Sequence, residues 1–295
     1  MILFIHGLGL TRSVWIPEIR GCLHFDGKYT DRDLLDTFTI SLPGHPDEDK
    51  KFTKKDIRDK IEEVYQGKKK KQSALAAKLS LTHPKELINS LNDEKLILIG
   101  QGAGGIFCLD YTLKNPHKVR KIILIGCGNH FNGSYLNLKL LTVKTADKLG
   151  LKNFTKISSV ISLFSGSKRK TEINLLLENP QKKSYLSLLN LMRTYNFEKE
   201  FKVQSLDNQL EFIKIPVLCV NGDMDLINRP RSIEKFEKVL TSDKKLINRR
   251  RNSLVMHEAE DCSNVYTRIY KVCGHYPSEK SLVDFVYDFR EFLTV

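Results

Sequence analysis

A histidine and two aspartates stand in this chain where side chains could move a proton. His275 lies in Cys273-Gly274-His275-Tyr276-Pro277, and Asp223 and Asp225 lie in Asn221-Gly222-Asp223-Met224-Asp225. A histidine ring held by a carboxylate is a general base near neutral pH, because the carboxylate orients the ring and raises its basicity. A third string, Gly100-Gln101-Gly102-Ala103-Gly104-Gly105, has the spacing of a sharp strand-to-helix turn, which needs small residues two positions either side of its centre. Gly100 and Gly104 are those neighbours, and Gly102 is the centre. A fourth string, Phe4-Ile5-His6-Gly7-Leu8-Gly9, opens the chain.

These strings work together only if strands bring them to one place. Short apolar runs ending in Gly or Pro alternate with stretches of helical period, the pattern of a mostly parallel sheet covered by helices. The runs predict strands at residues 1–5, 38–42, 96–99, 121–125, 216–220 and 267–272. The spacing of Ile106, Phe107, Leu109 and Leu113 predicts a helix that Asn115-Pro116 stops. Each string then falls at the C-terminal end of a strand, where an open α/β sheet places its ligand crevice. Residues 129–212 break the alternation: rich in Leu, Lys, Asn and Ser with helical periodicity, they read as an inserted helical cap between core segments 1–128 and 213–295. Residues 66–72, containing Lys68 to Lys71, and 243–266, containing Arg249 to Arg251, read as surface loops.

In this order and at these strand ends the strings resemble the α/β-hydrolase superfamily, in its small-molecule esterase and lipase-like branch, over nearly the whole chain. Leu42-Pro43-Gly44-His45 and Pro116-His117-Lys118-Val119 add to the resemblance. It implies a mostly parallel, doubly wound sheet flanked by helices, with an inserted helical cap. It also implies roles. Position 102 is that of the nucleophile, and the N–H groups of Leu8 and Ala103 form an oxyanion hole. Asp225, three residues after Gly222, is the acid in preference to Asp223, and His275 is the base. Members of the superfamily carry two antiparallel strands before the one that leads to His-Gly. Here Met1 opens that strand directly, so either the sheet begins at this strand with an edge to cover, or an N-terminal piece lies outside the sequence.

The departure is at the centre. Where the family pattern has serine this chain has Gly102, which has no side chain to attack a carbonyl and which adopts positive φ at little steric cost. The fold should survive while acyl transfer is lost; removing a triad member leaves about 10³ to 10⁴ over water, from the oxyanion hole and binding. Ser13 lies beyond the first loop and Cys108 well into the helix, so neither occupies the attacking position. Cys127 and Cys273 end strands and read as core residues, and Trp15 reads as packing. The expected function is a pseudohydrolase that binds a small apolar molecule with a carbonyl or carboxylate group. The alternatives are a serine hydrolase in a nucleophile-substituted version and a cofactor-free His–Asp acid/base enzyme. Neither a metal nor a cofactor is expected.

Composition sets the outer limits. The 295 residues are 41% hydrophobic and 28% charged, which excludes a disordered chain and a disulfide mini-scaffold. The net charge of +13 is spread among acidic residues, as on solvated faces, and no stacking or groove-reading motif points to nucleic acid. The 6 cysteines stand singly without metal-ligand spacing and read as reduced thiols. No basic leader and no apolar run near the roughly 20 residues of a membrane span is present, so the expected location is the cytoplasm, with a protein partner left open.

Overall fold

The computed structural model describes residues 1–8, 15, 37–42, 52–79, 95–128, 133–148, 182–194, 213–225, 227–230, 265–271, 273–275 and 279–294. The apolar runs become β1 (Ile2–Ile5), β2 (Thr37–Ile40), β3 (Leu96–Gln101), β4 (Val119–Ile125), β5 (Val217–Gly222) and β6 (Val265–Tyr270). They form a 6-stranded sheet in the order β2-β1-β3-β4-β5-β6. Every pairing among these strands is parallel. Such strands are buried on both faces, which explains why they read as continuous apolar runs. Leu98, Ile122, Leu124 and Cys219 face one core, while Ile99, Ile123, Leu218 and Val220 face the other.

The chain winds both ways from β1. It runs outward to β2, then crosses back to β3 on the other side of β1. In open α/β sheets the ligand crevice lies where strand order reverses in this way, here between the C-terminal ends of β1 and β3. Among the described strands β2 lies at this edge of the sheet, and β1 is paired on both sides.

Helices cover both faces. The first core joins Ile57, Ile61 and Tyr65 of α1 (Lys54–Leu79) to Ile106, Phe107 and Leu109 of α2 (Ala103–Lys114). Between these helices Arg58 pairs with Asp110 at 2.7 Å, and Glu62 accepts from Tyr111 at 2.6 Å and Lys118 at 2.7 Å. The second core holds Phe285, Phe289 and Phe292 of α5 (Glu279–Thr294) with Phe4 and Trp15. Trp15 is wholly buried, its ring 5.0 Å from that of Phe4, as packing requires. Lys121 of β4 reaches across this face, and its Nζ donates to Phe292 O and Leu293 O, each at 2.8 Å. A cation there meets the negative end of the α5 dipole.

Residues 66–72 are not a loop: they lie inside α1. Lysine is a good helix former, and the helix is already under way when the lysines begin. A reciprocal cap starts it, with Thr53 N–H on Asp56 Oδ2 at 2.7 Å and Asp56 N–H on Thr53 Oγ1 at 3.3 Å. Gln66 then donates to Glu62 one turn back at 2.6 Å. Of the other expected loop, residues 243–264 lie outside the described residues, and Val265 and Tyr266 belong to β6.

Within 129–212 the described residues form α3 (Gly133–Lys148) and α4 (Lys182–Thr194). Leu136, Leu140, Leu188, Leu189 and Met192 join the first core, and Phe52 N–H donates to Ser187 Oγ of α4 at 3.0 Å. No helix among the described residues is long and apolar enough to cross a membrane.

Candidate active site

Gly102 sits between β3 and α2 with φ 49° and ψ −112°. Its N–H donates to Ile125 O of β4 at 2.9 Å, and its C=O accepts from Gly105 N at 3.1 Å, so the backbone alone holds the turn. The flanking glycines are steric necessities. A Cβ on Gly100 would lie 2.4 Å from Gly105 N, and one on Gly104 would lie 2.1 Å from Ile5 O. An L-residue at position 102 would bear the strain of positive φ, which glycine does not.

Among the described residues the alternative nucleophiles are buried thiols, and Cys127 Sγ packs against Gly105 of this turn. Cys108 is fully buried and burial raises its thiol pKa; Cys127 is raised too, by burial and then by Cys108. Cys273 is buried, and the described cysteines form no disulfide with one another. Ser13, Cys22 and Cys262 lie outside the described residues.

The first loop is held by His6, which is 0% exposed. Its Nε2 lies 2.8 Å from Leu42 N, a backbone donor, so Nε2 must accept. Nδ1 therefore carries the proton and donates to Gly7 O at 2.8 Å. This neutral ring ties the loop that bears Leu8 to the end of β2. Ala103 opens α2, where first-turn N–H groups have no intrahelical acceptor. The two loops leave adjacent strands, with Ile5 in register with Gly100.

On the other side, Asp225 and His275 meet: Asp225 Oδ2 lies 2.9 Å from His275 Nδ1. The carboxylate side chain is 0% exposed and the histidine 14%. Asp225 Oδ1 also accepts the N–H groups of Ile227 at 2.8 Å and Asn228 at 2.9 Å, the local turn that an aspartate favours. With Nδ1 on the carboxylate, Nε2 is the nitrogen left to face a ligand. Asp223 has a different part. It accepts from Cys273 N at 3.3 Å and pairs with Lys271 at 3.6 Å, while Met224 N–H donates to Cys273 O at 2.9 Å. Asp223 thus fastens the loop of Asp225 to the loop of His275.

Residues that sequence reasoning passed over complete the geometry. Gly126 has φ +54°, and a Cβ there would fall 2.8 Å from His275 Nδ1. Since Gly102 bonds the carbonyl of the residue before Gly126, the histidine ring and the empty elbow flank the same strand end. Asn228 bonds Gly126 O through Nδ2 at 2.5 Å. The signal for Asn228 is a polar side chain three positions after the acid; for Gly126 it is a glycine directly after a strand. Among the described residues no three His, Cys, Asp or Glu side chains converge as metal ligands.

The family model for the alpha/beta hydrolase fold matches residues 1–279, and the chain belongs to that family. No curated protein sequence matches it. Among solved structures it is similar to an esterase from Exiguobacterium antarcticum, at TM-score 0.63 and 12% identity, covering 100% of this chain and 91% of that one. A thermophilic esterase from Thermogutta terrifontis gives TM-score 0.61 and 14% identity, covering 99% and 89%. The enol-lactonase from Burkholderia xenovorans gives TM-score 0.57 and 12% identity, covering 100% and 91%. At such identities the likeness is one of fold.

Proposed function

We propose that this chain is a nucleophile-less hydrolase-fold protein, a pseudohydrolase that binds a small apolar molecule with a carbonyl or carboxylate end. The observation that carries the reading is Gly102 at the elbow, φ 49°, with no side chain where attack would begin. The Leu8 and Ala103 N–H groups are the assigned donors to the ligand oxygen, and His275 Nε2 is a further polar contact. Residues 129–212 serve as the cap that shapes the apolar part of the pocket.

The test is covalent labelling by a serine-directed fluorophosphonate, together with a thermal-shift screen of esters and carboxylic acids. The native chain should take no label in the crevice and should be stabilised by at least one carbonyl or carboxylate compound, less so after Leu8→Pro removes one N–H. Labelling of the native chain at a crevice residue overturns the reading. So does a screen without a ligand.

A second reading is a cofactor-free acid/base enzyme. Its support is the His275–Asp225 pair, since a carboxylate with two backbone donors and a histidine partner is built to orient the ring. A third is a serine hydrolase in a substituted version, for which Gly102→Ser should restore labelling. A folded Gly102→Ser protein that stays inert favours the binding function.

A further inference from the structure

Asn228 is 3% exposed and makes hydrogen bonds with three separate parts of the crevice wall. Its backbone N–H donates to Asp225 Oδ1 at 2.9 Å. Its carbonyl accepts from Asn221 Nδ2 of β5 at 2.7 Å. Its side-chain Nδ2 donates to Gly126 O, just past β4, at 2.5 Å. Gly126 is also held from the other side, its N–H on Val220 O at 2.8 Å. At φ +54° it offers a bare Cα to the histidine loop: a Cβ would lie 2.7 Å from His275 O, 2.8 Å from Nδ1 and 3.0 Å from Cε1.

We propose that Asn228 is a positioning residue for the His275–Asp225 pair, acting on the aspartate through its own backbone and on the histidine through Gly126. Gly126 is the floor beneath the imidazole, and the Asn228 amide fixes the height of that floor. The residue type follows from the partner. Gly126 O is an acceptor, so position 228 needs a short side chain with an N–H donor. An aspartate of the same shape would present oxygen to oxygen. Asn228 thereby couples the acid and the base: a shift of its turn moves the carboxylate directly and the ring through the floor. The proposal deepens the reading of this pair as the polar centre of the crevice, and its test reads the pair itself rather than a bound ligand.

The experiment follows the His275 Nδ1 proton by NMR in the full chain, assigned by its loss in His275→Gln. A proton held between ring and carboxylate gives a far-downfield signal that exchanges slowly with water. Asn228→Ala keeps the backbone bonds and deletes only the clamp on Gly126. It should leave the circular dichroism unchanged and speed exchange of that proton about tenfold, the equilibrium worth of one buried hydrogen bond. Gly126→Ala should abolish the signal with Asn228 intact. Ile122→Val, which trims the core at the middle of β4, should lower the melting temperature without moving the signal, as a merely structural role would predict for Asn228 too. Folded Asn228→Ala with the native exchange rate overturns the proposal. Should Asn228→Ala fail to fold, the native protein decides: the Asn228 Nδ2 and His275 Nδ1 protons must show one opening free energy once each rate is divided by the intrinsic exchange rate of its group, and different opening free energies overturn it. A native protein without a protected His275 proton overturns it as well, whereas failure of the ligand screen touches only the binding reading.

Discussion

The two sides of the crevice are held by different means. At the elbow the chain is fixed by backbone and by the absence of side chains: Gly102 bonds Ile125 and Gly105, and Gly100 and Gly104 leave room for Gly105 and Ile5. Opposite it, Asp225, His275, Asn228 and Asn221 are fixed by side-chain hydrogen bonds that depend on the chemical identity of each residue. The first side needs no side chain at its centre, because backbone bonds alone hold Gly102. The second does need its side chains, since removing Asp225 strands two buried N–H groups.

The sharpest way to break this contrast is to put a side chain where the elbow has no room. Gly104→Val should destabilise by about 3 kcal/mol or more, because the new Cβ meets backbone that cannot give way. Chemical denaturation measures it, and a stable Gly104→Val protein would mean the elbow is looser than its contacts. On the opposite wall, Asp225→Ala should cost about 1–3 kcal/mol by leaving the Ile227 and Asn228 N–H groups without an acceptor. A smaller loss there than in Asp225→Asn would invert the comparison. Gly102→Ser is the milder insult at the elbow: positive φ on an L-residue costs about 1–3 kcal/mol. A gain of stability in Gly102→Ser would show that the turn still favours a side chain.

The smallest effect lies away from the crevice. Burial holds Lys54 down to about 8 from its ordinary 10.5, with Asp110 opposing and Arg58 reinforcing the shift. Between those values the unfolded chain binds more protons than the folded one, so this group's contribution to stability rises with pH across the window and is lowest below it. Lys54→Met should flatten that rise in urea midpoints measured from pH 8 upward. An unaltered slope would mean another group carries it.

Much of this was legible in the sequence because parallel strands buried on both faces leave continuous apolar runs, and because crevice residues follow strand ends. Strands at 121–125 and 216–220 fall within one or two residues of β4 and β5. Family resemblance separated Asp225 from Asp223, a choice that spacing alone left open; in the structure Asp225 Oδ2 lies 2.9 Å from His275 Nδ1. What was illegible depends on contacts between distant segments. Lys68 to Lys71 look like a loop until Ile57, Ile61 and Tyr65 dock the preceding turns of α1 onto α2. Gly126 and Asn228 carry no motif, since their roles exist only once β4, β5 and the histidine loop are side by side. The edge position of β2 is likewise a matter of strand order, which no local pattern records.

Lys121 has a consequence for how the molecule is made. Its amine finds its acceptors in Phe292 and Leu293, 171 and 172 positions further along. During synthesis β4 leaves the ribosome long before α5 exists, so for that interval a charged amine stays at the heart of the nascent sheet without its carbonyl partners. The second face of the sheet cannot be sealed dry until α5 has emerged. This face of the sheet therefore closes late, when α5 docks and its last carbonyls meet the lysine.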